Sequence, residues 1–175
     1  MSDKITVGEA IARFLESSGV TTAYGVISIH NMPILDALGQ RGNIRFVASR
    51  GEAGAVNMAD AHARVENTLG VAFTSTGTAA GNAAGALVEA QTAGTALLHI
   101  TGQIDTRYLD RNLAYIHEAR DQLTMLEAVS KEAFRVRSAE TALETLKLAV
   151  QTALSAPSGP VSVEIPIDIQ QAKIS

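Results

Sequence analysis

Glu52 is the residue whose type and position best suit acid–base chemistry. It directly follows a short apolar segment and stands in the sequence ASRGEAGA at residues 48–55. An acidic side chain in the first turn of a helix is favoured by the helix dipole, and the local pattern alone favours this structural role. Apolar neighbours would instead help such a carboxyl to keep its proton, so that it could act as a proton shuttle or a hydrogen-bond donor.

The glycine-rich segment at residues 75–82, STGTAAGN, is a second candidate. Glycine lets a backbone approach a ligand closely, and a helix is predicted to follow this segment. The segment lacks the Gly-Lys-Ser/Thr of a phosphate-binding loop, and it does not match the dinucleotide-binding fingerprint. A tight turn between a strand and a helix would explain the same residues, so this segment alone does not decide between a structural and a binding role.

Two histidines, His30 and His117, fall in segments that are predicted to be loops. A loop histidine is commonly a solvated residue, and the adjacent Asn31 could simply start the following helix. Neighbouring side chains point in different directions, so His117 and Glu118 are not expected to share a metal ion, and we predict no metal site. The other two histidines are expected on a helix and on a strand, respectively: His62 and His99.

The composition excludes several classes of protein. A chain of 175 residues with 46% hydrophobic and 18% charged residues suffices for one domain with a buried core. The net charge of −4, without a Lys/Arg cluster, argues against nucleic-acid binding, and the lack of cysteine excludes disulfides and thiolate chemistry. No apolar run approaches the ~20 residues of a membrane span, and the N-terminus lacks an apolar signal core. We therefore expect a cytoplasmic protein with no membrane partner.

Strand-like and helix-like segments alternate along the chain. Such alternation favours a parallel sheet with right-handed crossovers, and nearly continuous apolar strands indicate helices on both faces. We predict an α/β three-layer sandwich with a six-stranded, mostly parallel sheet. The predicted strands are 22–26, 43–48, 69–73, 96–101, 133–136 and 161–165. The predicted helices are about 7–18, 31–38, 52–65, 79–92, 121–129 and a long helix capped by Ser138 that ends near residue 153.

In an open parallel sheet, ligands bind beyond the carboxyl ends of the strands. Four predicted loops lie there, and they carry the polar residues that are hardest to explain by structure alone: 26–31, 49–52, 74–82 and 101–105. The candidate residues are thus expected at one edge of the sheet.

Five segments of the chain, in order and in spacing, resemble motifs of the N-terminal pyrimidine-binding domain of thiamine diphosphate-dependent enzymes of the acetolactate synthase and benzoylformate decarboxylase kind. They are YGV…NMPILDAL (24–38), RGEAGA…MADAHAR (50–64), STGTAAGN (75–82), ITGQ (100–103) and GPVSVEIPID (159–168). The resemblance runs from about residue 6 to residue 170. It implies that residues 1–175 form a single pyrimidine-binding domain, without the family's middle and diphosphate-binding domains.

The resemblance gives Glu52 a specific role. In the family, the glutamate at this position hydrogen-bonds N1′ of the cofactor's aminopyrimidine and thereby promotes loss of the thiazolium C2 proton. Thiamine diphosphate then attacks a 2-oxo acid and holds the carbanion that remains after carbon dioxide leaves. The implied function is the thiamine diphosphate-binding domain of a 2-oxo acid decarboxylase or carboligase.

The same resemblance assigns weaker roles to other residues. Gly77, Asn82 and Val26 would contact the cofactor, while a substrate-side group is expected at His30, Gln103 and His117. Several positions depart from the family pattern, and these departures blur the substrate. They are Gly51 in place of a common histidine, Thr78 and Ala79 in place of Pro-Gly, His62 in place of tyrosine, and 116–118 in place of Phe-Gln-Glu.

The family's diphosphate and Mg²⁺ are held by a separate domain marked by Gly-Asp-Gly, and no Gly-Asp dipeptide occurs in this chain. We therefore expect the chain to need a diphosphate-binding domain or subunit, and whether it is an enzyme by itself stays open. The family's active site lies between subunits, and the small-residue helices at residues 54–63 and 79–90 suit self-association, so a homodimer is expected.

Two other classes of protein stay open. The chain could be a non-catalytic regulatory or binding domain that retains the fold, although such a domain would have no need of a carboxylate at residue 52. It could also be a generic flavodoxin-like or nucleotide-binding domain, which the missing phosphate-binding fingerprint argues against. Acetolactate synthesis, 2-oxo acid decarboxylation and cleavage of a diketone or an acyl-CoA all remain possible reactions, and flavin binding is undecided.

Overall fold

The computed structural model describes residues 4–174, in which strands and helices alternate almost throughout. The strands are β1 (Ile5–Thr6), β2 (Thr22–Gly25), β3 (Arg45–Ala48), β4 (Gly70–Thr74), β5 (Leu97–Gln103), β6 (Glu132–Arg135), β7 (Pro160–Pro166) and β8 (Lys173–Ile174). The helices are α1 (Val7–Ser17), α2 (Met32–Arg41), α3 (Glu52–Glu66), α4 (Thr78–Ala93), α5 (Gln122–Val129), α6 (Ala142–Leu154) and α7 (Ile167–Gln171).

Six strands form one sheet in the order β3-β2-β4-β5-β7-β6, and every neighbouring pair is parallel. One apolar cluster lies on the face covered by α1, α2 and α6, and a second lies under α3, α4 and α5. The predicted three-layer α/β architecture is therefore confirmed. A separate two-stranded antiparallel sheet pairs β1 with β8 and was not predicted, because two-residue strands leave no periodic pattern.

The central strands explain why the sequence is so apolar there. Every residue of β4, β5 and β7 is buried, as expected for strands that are covered on both faces. Small side chains bring α3 close to β4: a Cβ added to Gly70 would lie only 2.5 Å from the carbonyl oxygen of Ala59. Glycine at this position therefore sets the distance between helix and sheet.

Local signals place the first helix as predicted. The hydroxyl of Thr6 accepts a hydrogen bond from the backbone N–H of Glu9 at 3.1 Å, which satisfies one of the free donors at the start of α1. The chain leaves the helix through Gly19, which has a left-handed φ of +81°. Glycine adopts this conformation without the strain of a side chain.

Several boundaries differ from the prediction: α2 continues to Arg41 instead of ending at residue 38, and β3 begins at Arg45 instead of residue 43. The helix α6 begins at Ala142, because Ser138 lies in a preceding turn where its hydroxyl contacts that of Thr141 at 3.3 Å. The strand β5 continues to Gln103, because Gly102 and Gln103 pair with the end of β7. This longer strand carries Gln103 to the carboxyl edge of the sheet.

The segment at residues 104–121 is irregular and unusually bent. Within it, four residues other than glycine have left-handed φ values of between +52° and +63°: Asp110, Asn112, Ala114 and His117. Tyr108 and Tyr115 stack at a centroid distance of 4.2 Å, and Asp168 accepts hydrogen bonds from Thr106. Such conformations persist only when surrounding contacts hold them.

His99 joins three strands inside the sheet. Its Nε2 lies 2.9 Å from the hydroxyl of Thr74 in β4, and its Nδ1 lies 2.9 Å from the hydroxyl of Ser162 in β7. Ser162 also contacts the hydroxyl of Ser130 at 2.8 Å. Complete burial lowers the pKa of His99 from 6.5 to about 4, because the charged imidazolium would lose its hydration.

Acid should therefore destabilise the fold through His99. His99 binds a proton near pH 6.5 in the unfolded chain and only near pH 4 in the folded chain. Its contribution to the free energy of unfolding is therefore fully present above pH 6.5 and is lost as the pH falls from 6.5 towards 4. We expect a loss of about 2 kcal/mol between pH 8 and pH 5 from this residue. His99→Gln cannot titrate, so urea unfolding at the two pH values should show a smaller pH dependence in this variant.

His62→Gln, which replaces a histidine on α3, serves as the control and should leave the pH dependence of the unfolding free energy unchanged. His30 adds to the pH dependence of stability in both variants, because burial also lowers the pKa of His30. An equal pH dependence in His99→Gln and in the unaltered protein would contradict the prediction.

Candidate functional site

Glu52 and Asn82 come together at the carboxyl edge of the sheet. Glu52 begins α3 after a three-residue turn from β3, in which the hydroxyl of Ser49 donates to the carbonyl oxygen of Gly51 at 2.9 Å. Asn82 lies in α4, and its Nδ2 donates to Oε2 of Glu52 at 3.1 Å. Two residues that are thirty positions apart in sequence thus form one polar pair.

The surroundings of Glu52 are only partly apolar. Ala55 and Val56 are buried beneath the first turn of α3, whereas Ala53 beside Glu52 is exposed. Glu52 itself is partly exposed, so this chain alone covers one side of its carboxyl. The fully apolar setting considered from the sequence is not formed by the described residues.

The turn before α4 accommodates only glycine at residue 77. Gly77 has φ +59° and ψ −106°, and a Cβ at this position would overlap the backbone carbonyl of His117. The backbone N–H of Gly77 donates to Oε1 of Gln122 at 2.6 Å. The loop at residues 104–121 therefore packs directly on the Gly77 turn, which could not happen with any side chain present.

Asn31 organises the loop that contains Val26. Its side-chain amide donates to the carbonyl oxygens of Val26 at 2.9 Å and Thr74 at 3.1 Å, and its Oδ1 accepts from the backbone N–H of Ser28. Ser28 and Ser75 share a hydroxyl contact of 2.5 Å. Asn31 precedes α2, but its side chain makes no cap bond to that helix. The Asn31 side chain therefore links the loop after β2 to the end of β4.

His30 and His117 face each other across the same edge, with ring centroids 5.9 Å apart. His30 is only 5% exposed, so it is not the solvated loop histidine that its sequence suggests. Burial and then the charge of His117 lower its pKa, which favours the neutral imidazole. Among the described residues, Nδ1 of His30 has no hydrogen-bond partner. His117 is exposed.

Gln103 lies beneath this surface rather than on it, with 2% of its area exposed. Its Oε1 accepts from the hydroxyl of Thr76 at 2.9 Å and from the backbone N–H of Ile104 at 2.7 Å. Its Nε2 donates to Oε2 of Glu164 at 3.1 Å. The side chain is thus engaged in internal hydrogen bonds, and its predicted contact with substrate stays a prediction.

A buried ionic network that the sequence did not predict lies under the Gly77 turn. Glu164 is fully buried and pairs with Arg135, whose side chain is 9% exposed, while Arg135 also holds Asp110 at 2.8 Å. Burial tends to lower the pKa of Arg135, but the bonds and charges of Glu164 and Asp110 outweigh it and raise that pKa. A glutamate inside the apolar strand VSVEIP was the available signal.

The described part of the chain, residues 4–174, offers no group of three or more His, Cys, Asp or Glu side chains that could hold a metal ion. No helix there combines the length and the apolar character needed to cross a membrane. The residues at the carboxyl edge can therefore offer a carboxylate, an amide and imidazoles to a ligand.

Comparison with known proteins gives a family match over residues 5–125, to "Thiamine pyrophosphate enzyme, N-terminal TPP binding domain". The match includes Glu52, Gly77, Asn82 and the loop at residues 104–121. It extends over more than half of the chain.

Three relatives illustrate the range of similar proteins. The chain is 32% identical over 98% of its length to a probable 2-ketoarginine decarboxylase of Pseudomonas aeruginosa and covers 30% of that protein. It is 35% identical over 95% of its length to human 2-hydroxyacyl-CoA lyase 2, of which it covers 26%. It is 32% identical over 98% of its length to a glyoxylate carboligase of Escherichia coli O157:H7, of which it covers 28%. The chain thus spans less than a third of each relative.

The Gly77 turn gives a direct test of the site's construction. Gly77→Ala should lower the free energy of unfolding by about 2 kcal/mol or more, because the new Cβ must displace the backbone at His117 and the left-handed φ strains alanine. Urea unfolding measures this loss, and limited proteolysis should show faster cleavage within residues 104–121.

Gly85→Ala, within the helix α4 that follows this turn, is the matched control. A Cβ there meets no atom within 4 Å, and alanine favours a helix over glycine, so the change should be neutral or stabilise by up to about 1 kcal/mol. Equal stability of the two variants would show that the Gly77 turn carries no steric constraint.

Proposed function

The chain belongs to the thiamine pyrophosphate enzyme family, as its N-terminal TPP-binding domain, and we propose that it serves a 2-oxo acid decarboxylase or carboligase of the acetolactate synthase kind. In this proposal Glu52 is the residue that activates the cofactor. The pairing of Glu52 with Asn82 beside a side-chain-free turn is the observation that carries the proposal.

The residues at the carboxyl edge fit the pyrimidine end of thiamine diphosphate. Glu52 offers a carboxyl at the open surface, Asn82 lies on the adjoining helix α4, and Val26 lies in the loop after β2. The contact of Gly77 with the cofactor stays part of the proposal, although Gly77 is buried and the backbone carbonyl of His117 fills the space that a Cβ would take. When bound, the cofactor supplies a thiazolium carbon that stabilises the carbanion left by decarboxylation.

Glu52 performs the proton chemistry that this chain contributes. With the cofactor bound, its carboxyl would hold a proton at N1′ of the aminopyrimidine and would thereby favour the tautomer able to take up the C2 proton. Asn82 donates to one carboxyl oxygen and so restricts the rotation of the side chain. A restrained carboxyl loses less conformational entropy when it binds the ring.

The substrate-side roles of His30, His117 and Gln103 belong to the same proposal. The neutral state of His30 and its unpaired Nδ1 suit it to exchange a hydrogen bond with a reacting oxygen. His117 is exposed and lies within reach of the same space. Gln103 would have to exchange one of its internal hydrogen bonds before it could contact a substrate.

We propose further that residues 1–175 act as a single domain and that the diphosphate and Mg²⁺ are held elsewhere, by another domain or subunit. The relatives are more than three times as long as the region that the chain covers, which supports a division of the site. The probable acetolactate synthase large subunit of Methanocaldococcus jannaschii is likewise covered over only 27% of its length.

A homodimer is also part of the proposal. Many alanines of α3 and α4 are buried within the chain, but Ala53, Gly54 and Ala61 on α3 and Gly85 on α4 are exposed. These small residues leave the helix backbones little covered at their own positions, and a Cβ on Gly85 would meet open space. Such surfaces allow two helices to approach closely.

Glu52→Gln in the complete protein, loaded with thiamine diphosphate and Mg²⁺, tests the role of the carboxyl. The amide cannot hold and release the proton at N1′, so exchange of the cofactor C2 proton with deuterium should slow by on the order of 10²- to 10⁴-fold. Stability should change by less than about 1 kcal/mol, because Glu52 is partly exposed.

Glu66→Gln, at the last residue of the same helix, is the matched control and should exchange at the original rate. If Glu52→Gln also exchanges at the original rate, the catalytic assignment fails. That result would favour the alternative of a non-catalytic binding or regulatory domain.

Sedimentation of a variant tests the homodimer. Gly85→Arg places a long cation on the exposed side of α4 and should shift the protein towards monomers. Gln151→Arg adds the same cation to the exposed side of α6 and should leave the dimer intact. A protein that sediments as a monomer at high concentration without any substitution would rule out the dimer.

A further inference from the structure

Gln122, the first residue of α5, lies at the centre of the buried network below the Gly77 turn and is 1% exposed. Its Oε1 accepts from the backbone N–H of Gly77 at 2.6 Å and lies 2.9 Å from the hydroxyl of Thr76, whose single proton it shares with Oε1 of Gln103. Its Nε2 donates to the carbonyl oxygen of Gly102 at 3.2 Å and to Oε2 of Glu164 at 2.9 Å. One side chain thus satisfies groups from three different loops or strands.

The chemistry of its neighbours fixes the orientation of the Gln122 amide. A carboxylate and a backbone carbonyl can only accept hydrogen bonds, so the amide nitrogen must face Glu164 and Gly102. The amide oxygen must then face Gly77, whose N–H can only donate. Arg135 pairs with Glu164 and keeps the acceptor in place. The ion pair between Arg135 and the fully buried Glu164 therefore determines which atom of the amide meets the turn.

The backbone N–H of Gly77 is a hydrogen-bond donor at the start of α4. Gly77 is the residue immediately before α4, the helix that carries Asn82 in its second turn. The donors at the start of a helix have no partner within the helix, and a buried donor without an acceptor is costly. Gln122 supplies the acceptor for this one, so it sets the position at which α4 starts.

We propose that Gln122 is a positioning residue that holds the Gly77 turn and the start of α4, and thereby Asn82, in the geometry that receives the cofactor. The inference rests on the proposed function, because it takes this edge of the sheet as the cofactor site. Gln122 does not touch the cofactor itself. Its effect passes through the backbone of Gly77.

Gln122→Met, in the complete protein, tests the proposal. Methionine has nearly the same length but cannot accept from the Gly77 N–H. Amide hydrogen exchange of residues 77–82, measured without cofactor, should accelerate at least tenfold, since the start of α4 would open locally. The dissociation constant for thiamine diphosphate with Mg²⁺ should rise by roughly tenfold, which corresponds to the loss of one buried hydrogen bond.

Two controls separate positioning from general loss of stability. Gln40→Met makes the same change on the exposed side of α2 and should alter neither measurement. Leu146→Ala creates a cavity on the opposite face of the sheet, and it should lower the melting temperature without accelerating exchange selectively at residues 77–82. If Gln122→Met fails to fold, Thr76→Val removes one of the two donors to Oε1 and should give a smaller change in the same direction.

The outcomes distinguish this inference from the proposed function. Unchanged exchange at residues 77–82 in Gln122→Met, or an equal loss of cofactor affinity in Leu146→Ala, overturns the positioning role. If the unaltered protein binds no thiamine diphosphate, the proposed function fails, even where exchange at residues 77–82 responds as expected. If the unaltered protein and Gln122→Met bind the cofactor equally, the inference fails and the proposed function stands.

Discussion

Glu164 places a charge inside a strand that is buried at every position, and the carboxyl edge of the sheet is arranged around it. A buried carboxylate is tolerated only when cations and donors replace its hydration. Arg135 supplies the cation, while Gln103 and Gln122 supply amide donors. Both glutamines then present their oxygens to Thr76, so the requirements of one carboxylate determine the hydrogen bonds of the turn above it.

The candidate site joins two groups of residues through one helix. The helix α4 starts at the Gly77 turn, where the loop at residues 104–121 packs, and it carries Asn82 to Glu52 one and a half turns later. The same loop brings His117 to His30. Glu52 and the two histidines are therefore linked through the start of α4, and a small change there would shift the carboxyl and the histidines together.

The sequence suffices to predict the alternation of strands and helices, because apolar periodicity is a local property that each segment carries by itself. Glu52 at the start of α3 was predictable for the same reason. The partnership of Gln122 with Glu164 was not, because residues 42 positions apart meet only after the sheet has formed. Asn31 shows the same limit: its position before a helix suggested a cap, but its side chain bonds to the loops after two strands.

The pairing of β1 with β8 has a consequence for chain connectivity. Ile5 lies opposite Ile174 in this small antiparallel sheet, so the two ends of the described fold are neighbours. Circular permutation is commonly tolerated in folds whose ends adjoin. A short linker could close these ends, and new ends could open at the exposed turn of residues 42–43, which lies between α2 and β3 at the edge of the sheet opposite to Glu52.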